Sequence, residues 1–384
     1  MTDKLEHVVC NDPFDPMVVK PLTAMQERYY MASAWRMMWW RFKRHRLAVF
    51  AGIVLLLSYA SIFIVEFLAP YNLQTRNTDF IFSPPQTVRI FDKGQLRTPF
   101  VYPYTYTLNM ETLKREYTED KSRPQTVRFF CRGDSYRFWG LFDSNVHLIC
   151  PPENGTLFLL GTDRLGRDMA SRLLYGGRIS LTVGLIGITI SFILGISIGG
   201  AAGYFGGWVD KSVQRVIEVL RSLPELPLWM ALSAALPVTW SPVLIYFGIT
   251  IILGLLDWPG LARAVRSKLL SLREEDYVVA ARLMGASPRH IIARHLLPNF
   301  SSHLIASLTL SVPSMILGET ALSFLGLGLR PPITSWGVLL SEAQNIEAVA
   351  LYPWLLFPML PVVIVVLGFN FLGDGLRDAA DPYR

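Results

Sequence analysis

Long apolar runs separated by charged linkers dominate the chain. The first, Leu47 to Ala69, has about 23 residues with Glu66 as its only charge. At 1.5 Å per residue a helix of that length covers about 34 Å, enough to cross the hydrocarbon core of a bilayer. Further runs lie at roughly Ile179–Tyr204, Val209–Leu236, Pro242–Leu256, Pro298–Leu325 and Tyr352–Leu372. The pattern predicts an all-α polytopic membrane protein with six transmembrane helices. The residues before Leu47 are polar, aromatic and basic, so no signal peptide is expected.

One stretch breaks the pattern. Residues 70–160 are polar, rich in Tyr, Phe and Pro, and nearly balanced in charge. Alternation at Gln86–Phe91 and Thr126–Phe130 predicts short strands. The chain thus divides into a cytoplasmic N-terminal segment with an interfacial helix (1–46), a first transmembrane helix (47–69), an extracytoplasmic insertion (70–160) and a five-helix core (161–384) with a cytoplasmic loop at 257–298. Cys131 and Cys150 both lie in the insertion and would be free to pair in an oxidising compartment, or to remain thiols, while Cys10 should stay reduced. Asn154-Gly155-Thr156 matches a glycosylation sequon, a pattern short enough to arise by chance.

Composition supports the membrane reading. The chain of 384 residues is 51% hydrophobic and 17% charged, whereas soluble domains carry roughly a quarter charged residues. The net charge of +6 comes from scattered short clusters, which set topology rather than bind nucleic acid. Arg36, Arg41, Lys43, Arg44 and Arg46, interleaved with Trp35, Trp39 and Trp40, flank the first run. Seven basic residues from Arg263 to Arg294 follow the fourth. The positive-inside rule then puts both termini in the cytoplasm. Arg164, Arg167, Arg172 and Arg178 oppose this, falling on the outer side before the second run. Asp163 and Asp168 offset part of that charge, and a surface-lying amphipathic helix would accommodate the rest. The three cysteines lack C-x-x-C spacing, so no metal site is expected.

Within the membrane, Gly195, Gly199, Gly203 and Gly207 recur every four residues, letting a second helix approach closely or lining a path. Glu218, Arg221 and Glu225, with Pro224 between them, place costly charges in the third run. They form either a gate on the translocation path or a structural ion pair. Glu319 in the fifth run is open to the same two readings, path lining or helix–helix hydrogen bonding. Pro331-Pro332 and Trp336-Gly337 form either an outer docking loop or a plain turn.

The cytoplasmic stretch from Arg273 to Asn299 is the most informative. Glu274, Glu275 and Asp276 favour the positive end of a helix starting there. Gly285 ends that helix, and Ser287-Pro288 starts the next. The result is a short helix-turn-helix between two spans, with Ala280 and Ala281 as a small-residue surface for a groove in a soluble partner.

This stretch resembles the cytoplasmic EAA loop of ABC-importer permeases, with Ala280, Ala281, Gly285, Leu297 and Pro298 in register; Val279 replaces the usual glutamate and His295 the isoleucine. Tyr277 to Ser287 and Arg294 to Asn299 are similar to the dipeptide/oligopeptide/nickel branch. So are Leu160–Asp168 with Leu174–Leu181, Ala321–Gly328, and Asp374–Ala379 with Asp381-Pro382. The long 70–160 loop has no counterpart there. The resemblance implies a transport subunit without catalysis, resembling the second of two homologous permeases. Its implied partners are the other permease, two cytosolic ATPases and an extracytoplasmic substrate-binding protein, in the bacterial inner membrane. Tyr277, Ala280, Ala281, Arg282, Gly285, Ala286 and Ser287 would then form the ATPase-coupling element. No Gly-Lys dipeptide, hence no Walker A phosphate loop, occurs in the chain. No cofactor is expected on this chain; ATP and Mg would belong to the partner ATPases. The implied cargo is a di- or oligopeptide, with oligosaccharide, opine or nickel chelate as alternatives within the branch. An ATP-independent secondary transporter would need inverted repeats, and an intramembrane hydrolase would need a Ser/His or paired-Asp constellation; the chain shows none of these.

Overall fold

The computed structural model describes residues 31–380 except 93–94, 112–113 and 154. Cys10, Asn154, Asp381 and Pro382 lie outside the described residues. The described chain starts with helix α1 (Ala34–Arg44), whose Trp35 and Trp39 are exposed. Arg36 stacks over Trp40 and Lys43 over Trp39, an arrangement suited to a membrane interface. The His45 ring then caps α2 (Arg46–Phe63) by accepting the Ala48 N–H, and the short α3 (Val65–Leu68) follows.

The insertion folds as strands, as the alternation predicts. A three-stranded antiparallel sheet joins β1 (Arg89–Asp92), β2 (Gln95–Val101) and β5 (Gln125–Thr126). Two hairpins pair β3 (Tyr104–Asn109) with β4 (Lys114–Glu119), and β6 (Arg128–Phe138) with β7 (Phe142–Cys150). A disulfide joins Cys131 of β6 to Cys150 of β7.

The membrane core follows: α4 (Met169–Phe205), α5 (Gly207–Ser222), α6 (Glu225–Ala234), α7 (Pro242–Leu272), α8 (Asp276–Leu283), α9 (Pro288–Phe324), α10 (Trp336–Ser341), α11 (Ile346–Leu351) and α12 (Pro353–Ala380). Five helices among the described residues, α2, α4, α7, α9 and α12, are long and apolar enough to cross a membrane. The expected third span, Val209–Leu236, is instead two helices. Leu223 is extended at φ −93°, ψ 140°, because a residue before proline is driven out of the helical region. The first half also carries Asp210, Lys211, Arg215, Glu218 and Arg221, too many charges for a lipid-embedded run.

The polar segment before the second run also departs from expectation. It is no surface helix: α4 starts at Met169 and buries Arg172 completely. Asp163 makes that burial tolerable, because buried charges persist where they are paired. Its carboxylate accepts from Arg167 Nε at 2.6 Å and from Arg172 Nη1, while Arg172 Nη2 donates to Glu342 at 3.0 Å. Arg178 grips Glu66 through two bonds of 2.6 and 2.7 Å, the bidentate geometry that makes Arg–carboxylate pairs strong.

The glycine stripe packs α4 on α7. A Cβ on Gly195 would come within 2.9 Å of Leu261, and one on Gly203 within 2.8 Å of Leu269; Gly199 lies against the Ala262 backbone. Gly207 does not belong to this stripe. It opens α5 at φ +54° with no neighbour close to its Cβ position. The contact is extended instead by Gly187 and Gly254, whose backbones meet directly.

Candidate functional site

Helix α8 has both ends fixed by local chemistry. Its first turn carries Asp276. Its last turn closes as a Schellman motif: the Ala286 N–H donates to Ala281 O at 3.1 Å and the Gly285 N–H to Arg282 O at 3.0 Å. Gly285 has φ +82°, the left-handed region that suits glycine. Ser287 then caps α9 by accepting the His290 N–H, with Pro288 in the first turn.

Three separate contacts tie α8 to the membrane helices. Val278 and Ala281 are buried against Val265 and Leu269 of α7 and Ile291 and Leu296 of α9. The Asn299 amide of α9 donates to the Tyr277 hydroxyl at 2.7 Å. The Arg282 guanidinium sits 5.8 Å from the Tyr204 ring at the end of α4. A push on α8 is therefore delivered to three long helices.

The burial of Ala281 corrects the expected docking surface. Of the two alanines only Ala280 faces outward, and Ala286 packs inward beside Ala281. The outward face holds Tyr277, Val279, Leu283 and Met284 as well, with Leu283 84% and Met284 82% exposed. Leu283 and Met284, two large apolar side chains at the helix end, were not singled out by the sequence pattern. The signal was present as two consecutive apolar residues where the inward face, Val278 and Ala281, predicts polar ones.

The intramembrane candidates separate. Glu218 pairs with exposed Arg215 at 2.9 Å and points away from the bundle. Arg221 and Glu225, on either side of the Pro224 break, line a cleft with Leu228, Trp229, Leu256 and Asp257. Asp257 of α7, which sequence reasoning missed, accepts a bond from Ser191 of α4 at 3.2 Å. Acidic and basic groups from three elements thus converge beside a proline break. Glu319 lies elsewhere, fully buried, and accepts bonds from Ser180 at 3.0 Å and Ser323 at 2.8 Å. It joins α4 to α9. Trp336 is equally inaccessible as a docking residue: it is buried, its indole N–H bonded to Leu173 O at 3.1 Å. Gly337 packs against the Thr320 backbone.

Comparison with known proteins supplies the context for this arrangement. Residues 191–383 match the family described as binding-protein-dependent transport system inner membrane component. Residues 33–85 match the N-terminal TM domain of oligopeptide transport permease C. The dipeptide transport system permease protein DppC of Alkalihalophilus pseudofirmus is 41% identical over 223 residues, 58% of this chain and 71% of that protein. The glutathione transport system permease protein GsiD of Pectobacterium atrosepticum is 31% identical over 350 residues, 91% of each chain. Among solved structures, a chain of the MetNI methionine ABC transporter in inward-facing conformations aligns over 56% of this chain and 98% of its own, at 21% identity and a TM-score of 0.45.

Proposed function

The chain belongs to the inner-membrane components of binding-protein-dependent transport systems, and from that membership we propose that it carries short peptides inward, powered by ATP hydrolysis in other subunits. The observation that carries this reading is α8. It is a rigid cytoplasmic helix fastened to α4, α7 and α9, and its far face ends in exposed Leu283 and Met284. An apolar pair of that kind on a charged linker is suited to a groove in a soluble partner, the helix-in-groove mode of recognition. The partner is a cytosolic ATPase, of which two act on this chain and a homologous second permease. Closure of the ATPases moves α8, and α8 moves the helices.

Substrate arrives from an extracytoplasmic binding protein, and Arg221, Glu225 and Asp257, around a cleft of about 20 Å³ that would have to widen during transport, are the candidates for its path. That cleft offers both signs of charge, which matches a zwitterionic peptide with its free amine and carboxylate. The relatives whose names specify dipeptide and glutathione transport support a peptide cargo over an oligosaccharide, opine or nickel chelate.

Uptake of a radiolabelled dipeptide by cells lacking this chain, with and without complementation, tests the proposal. Complementation should restore uptake, and deletion of the ATPase subunits should abolish it again. Dipeptide uptake that persists without the ATPases would instead indicate a self-contained secondary transporter.

A further inference from the structure

We propose that the β6–β7 hairpin dips into the outer leaflet of the membrane, with the turn Phe138–Phe142 as its lipid-facing tip.

The hairpin runs alongside the outer end of the first membrane helix, and its contacts give its direction. Near its base, the Phe130 ring lies 6.1 Å from Phe67 of α3. Beside it, the buried His147 ring, level with Cys131 in the ladder, bonds Ala69 O at 2.7 Å and Asp134 O at 2.9 Å. At its tip, Trp139 donates to the carbonyl of Phe63, the last residue of α2, at 2.9 Å, and their rings lie 5.9 Å apart. The base and middle of the hairpin therefore lie against the segment beyond α2, through Phe67, Ala69, Asn72 and Thr75, and the tip alone lies against α2 itself, the end nearer the bilayer.

The depth of the tip follows from the helix. With Leu47 at the inner boundary, a core of about 30 Å ends about 20 residues later, near Glu66. Phe63 then lies roughly 5 Å inside the outer boundary, and Trp139 is held beside it. At the tip, Leu141 is 79% and Phe142 56% exposed. The surface they extend is the lipid-facing side of α2, where Leu56, Leu57 and Phe63 are exposed in turn. That continuity points to lipid as the occupant, because the tip prolongs the exposed apolar face of a helix long and apolar enough to cross the membrane.

The polar groups near the tip are compatible with this depth. Arg178 stacks 4.2 Å from the Trp139 ring while paired with Glu66, so its charge is met inside the protein. Arg137 and Asp143, one step back from the turn, pair with each other at 3.2 Å. Tryptophan at the junction of apolar and polar layers matches its preference for the membrane interface. The Cys131–Cys150 disulfide braces the base of the hairpin, and the His147 bond to Ala69 and the Trp139 bond to Phe63 tie it to the segment beyond α2 and to the end of α2.

The test is site-directed spin labelling of the full-length chain with its co-purifying subunits, in phosphatidylethanolamine/phosphatidylglycerol vesicles. Cys10→Ser leaves the disulfide as the only other cysteine pair, and Leu141→Cys takes the label at an exposed position that supports no packing. Leu57→Cys on α2 and Met110→Cys at the tip of the other hairpin are the lipid and water references. Collision with oxygen should exceed collision with a water-soluble nickel chelate at 141, as at 57 and opposite to 110. Chelate-dominated collision at 141 would overturn the proposal by placing the tip in water. Exclusion of both agents would overturn it in favour of a protein neighbour.

Discussion

Asp168 caps the first turn of α4, accepting the Ser171 N–H and hydroxyl, each at 2.7 Å. Burial pushes its carboxyl up to about 6, against the lowering effect of those bonds. In the unfolded chain the same group ionises near 4. Between these values the folded protein holds the extra proton, so stability falls as pH rises from about 4 to 6 and is level above that. The effect is on the order of 2–3 kcal/mol at most. Asp168→Asn keeps the capping oxygen without a titratable group. Thermal unfolding of the detergent-solubilised variant should lose this pH dependence; an unchanged profile would show that Asp168 does not titrate in that window. The residue-level signals that were legible in sequence are those with a local cause. Gly285, Ser287 and Pro288 mark a helix end and a helix start wherever they occur. Asp257 and Ser191 were not legible, because they are 66 positions apart and meet only when α4 packs on α7.

At the scale of elements, α5 and α6 replace a straight third span by a broken one. The amphipathic first half lies among charges, and the ten-residue α6 is too short to cross a bilayer alone. We propose that together, with the extended Leu223–Pro224 joint, they form a third crossing, with the charged half of α5 outside the hydrocarbon core, which would place the α6–α7 connection outside. Val238 in that connection is 77% exposed. A membrane-impermeant maleimide added to intact cells whose outer membrane has been permeabilised should label Val238→Cys. Labelling only after the inner membrane is opened would put that connection inside and reduce the number of crossings by one. Long apolar runs gave the other helices directly, and period-two alternation gave the strands. The break was less legible, since hydropathy averages over Leu223-Pro224 while the backbone responds to the proline itself. The sequence likewise showed glycines every four residues, but the α4–α7 contact ends at Gly203, where the helix ends.

For the whole molecule, the outer arginines that opposed the assigned topology are largely neutral in effect. Arg167 and Arg172 share Asp163 and Glu342, and Arg178 is taken by Glu66. The pairs to Asp163 are local, four and nine residues away, and the offset they give is legible in the sequence; the pairs to Glu342 and Glu66 span more than a hundred residues and are not. The same pairs join α3, the start of α4 and the turn after α10 into one platform, while α8 joins α4, α7 and α9 at the opposite end of α4. The two ends of the bundle are thus linked through α4.

In the proposed mechanism α8 receives the ATPase through Leu283 and Met284. ATP hydrolysis and dipeptide uptake by the reconstituted transporter carrying Leu283→Asp and Met284→Asp test it most directly. Both side chains are exposed, so the variant should fold, insert and melt like the parent. We expect it to lose at least tenfold in uptake, the equivalent of about 1.4 kcal/mol of docking energy, together with substrate-stimulated hydrolysis. Parental uptake and hydrolysis in a normally folded variant would contradict the assignment of α8 as the coupling helix.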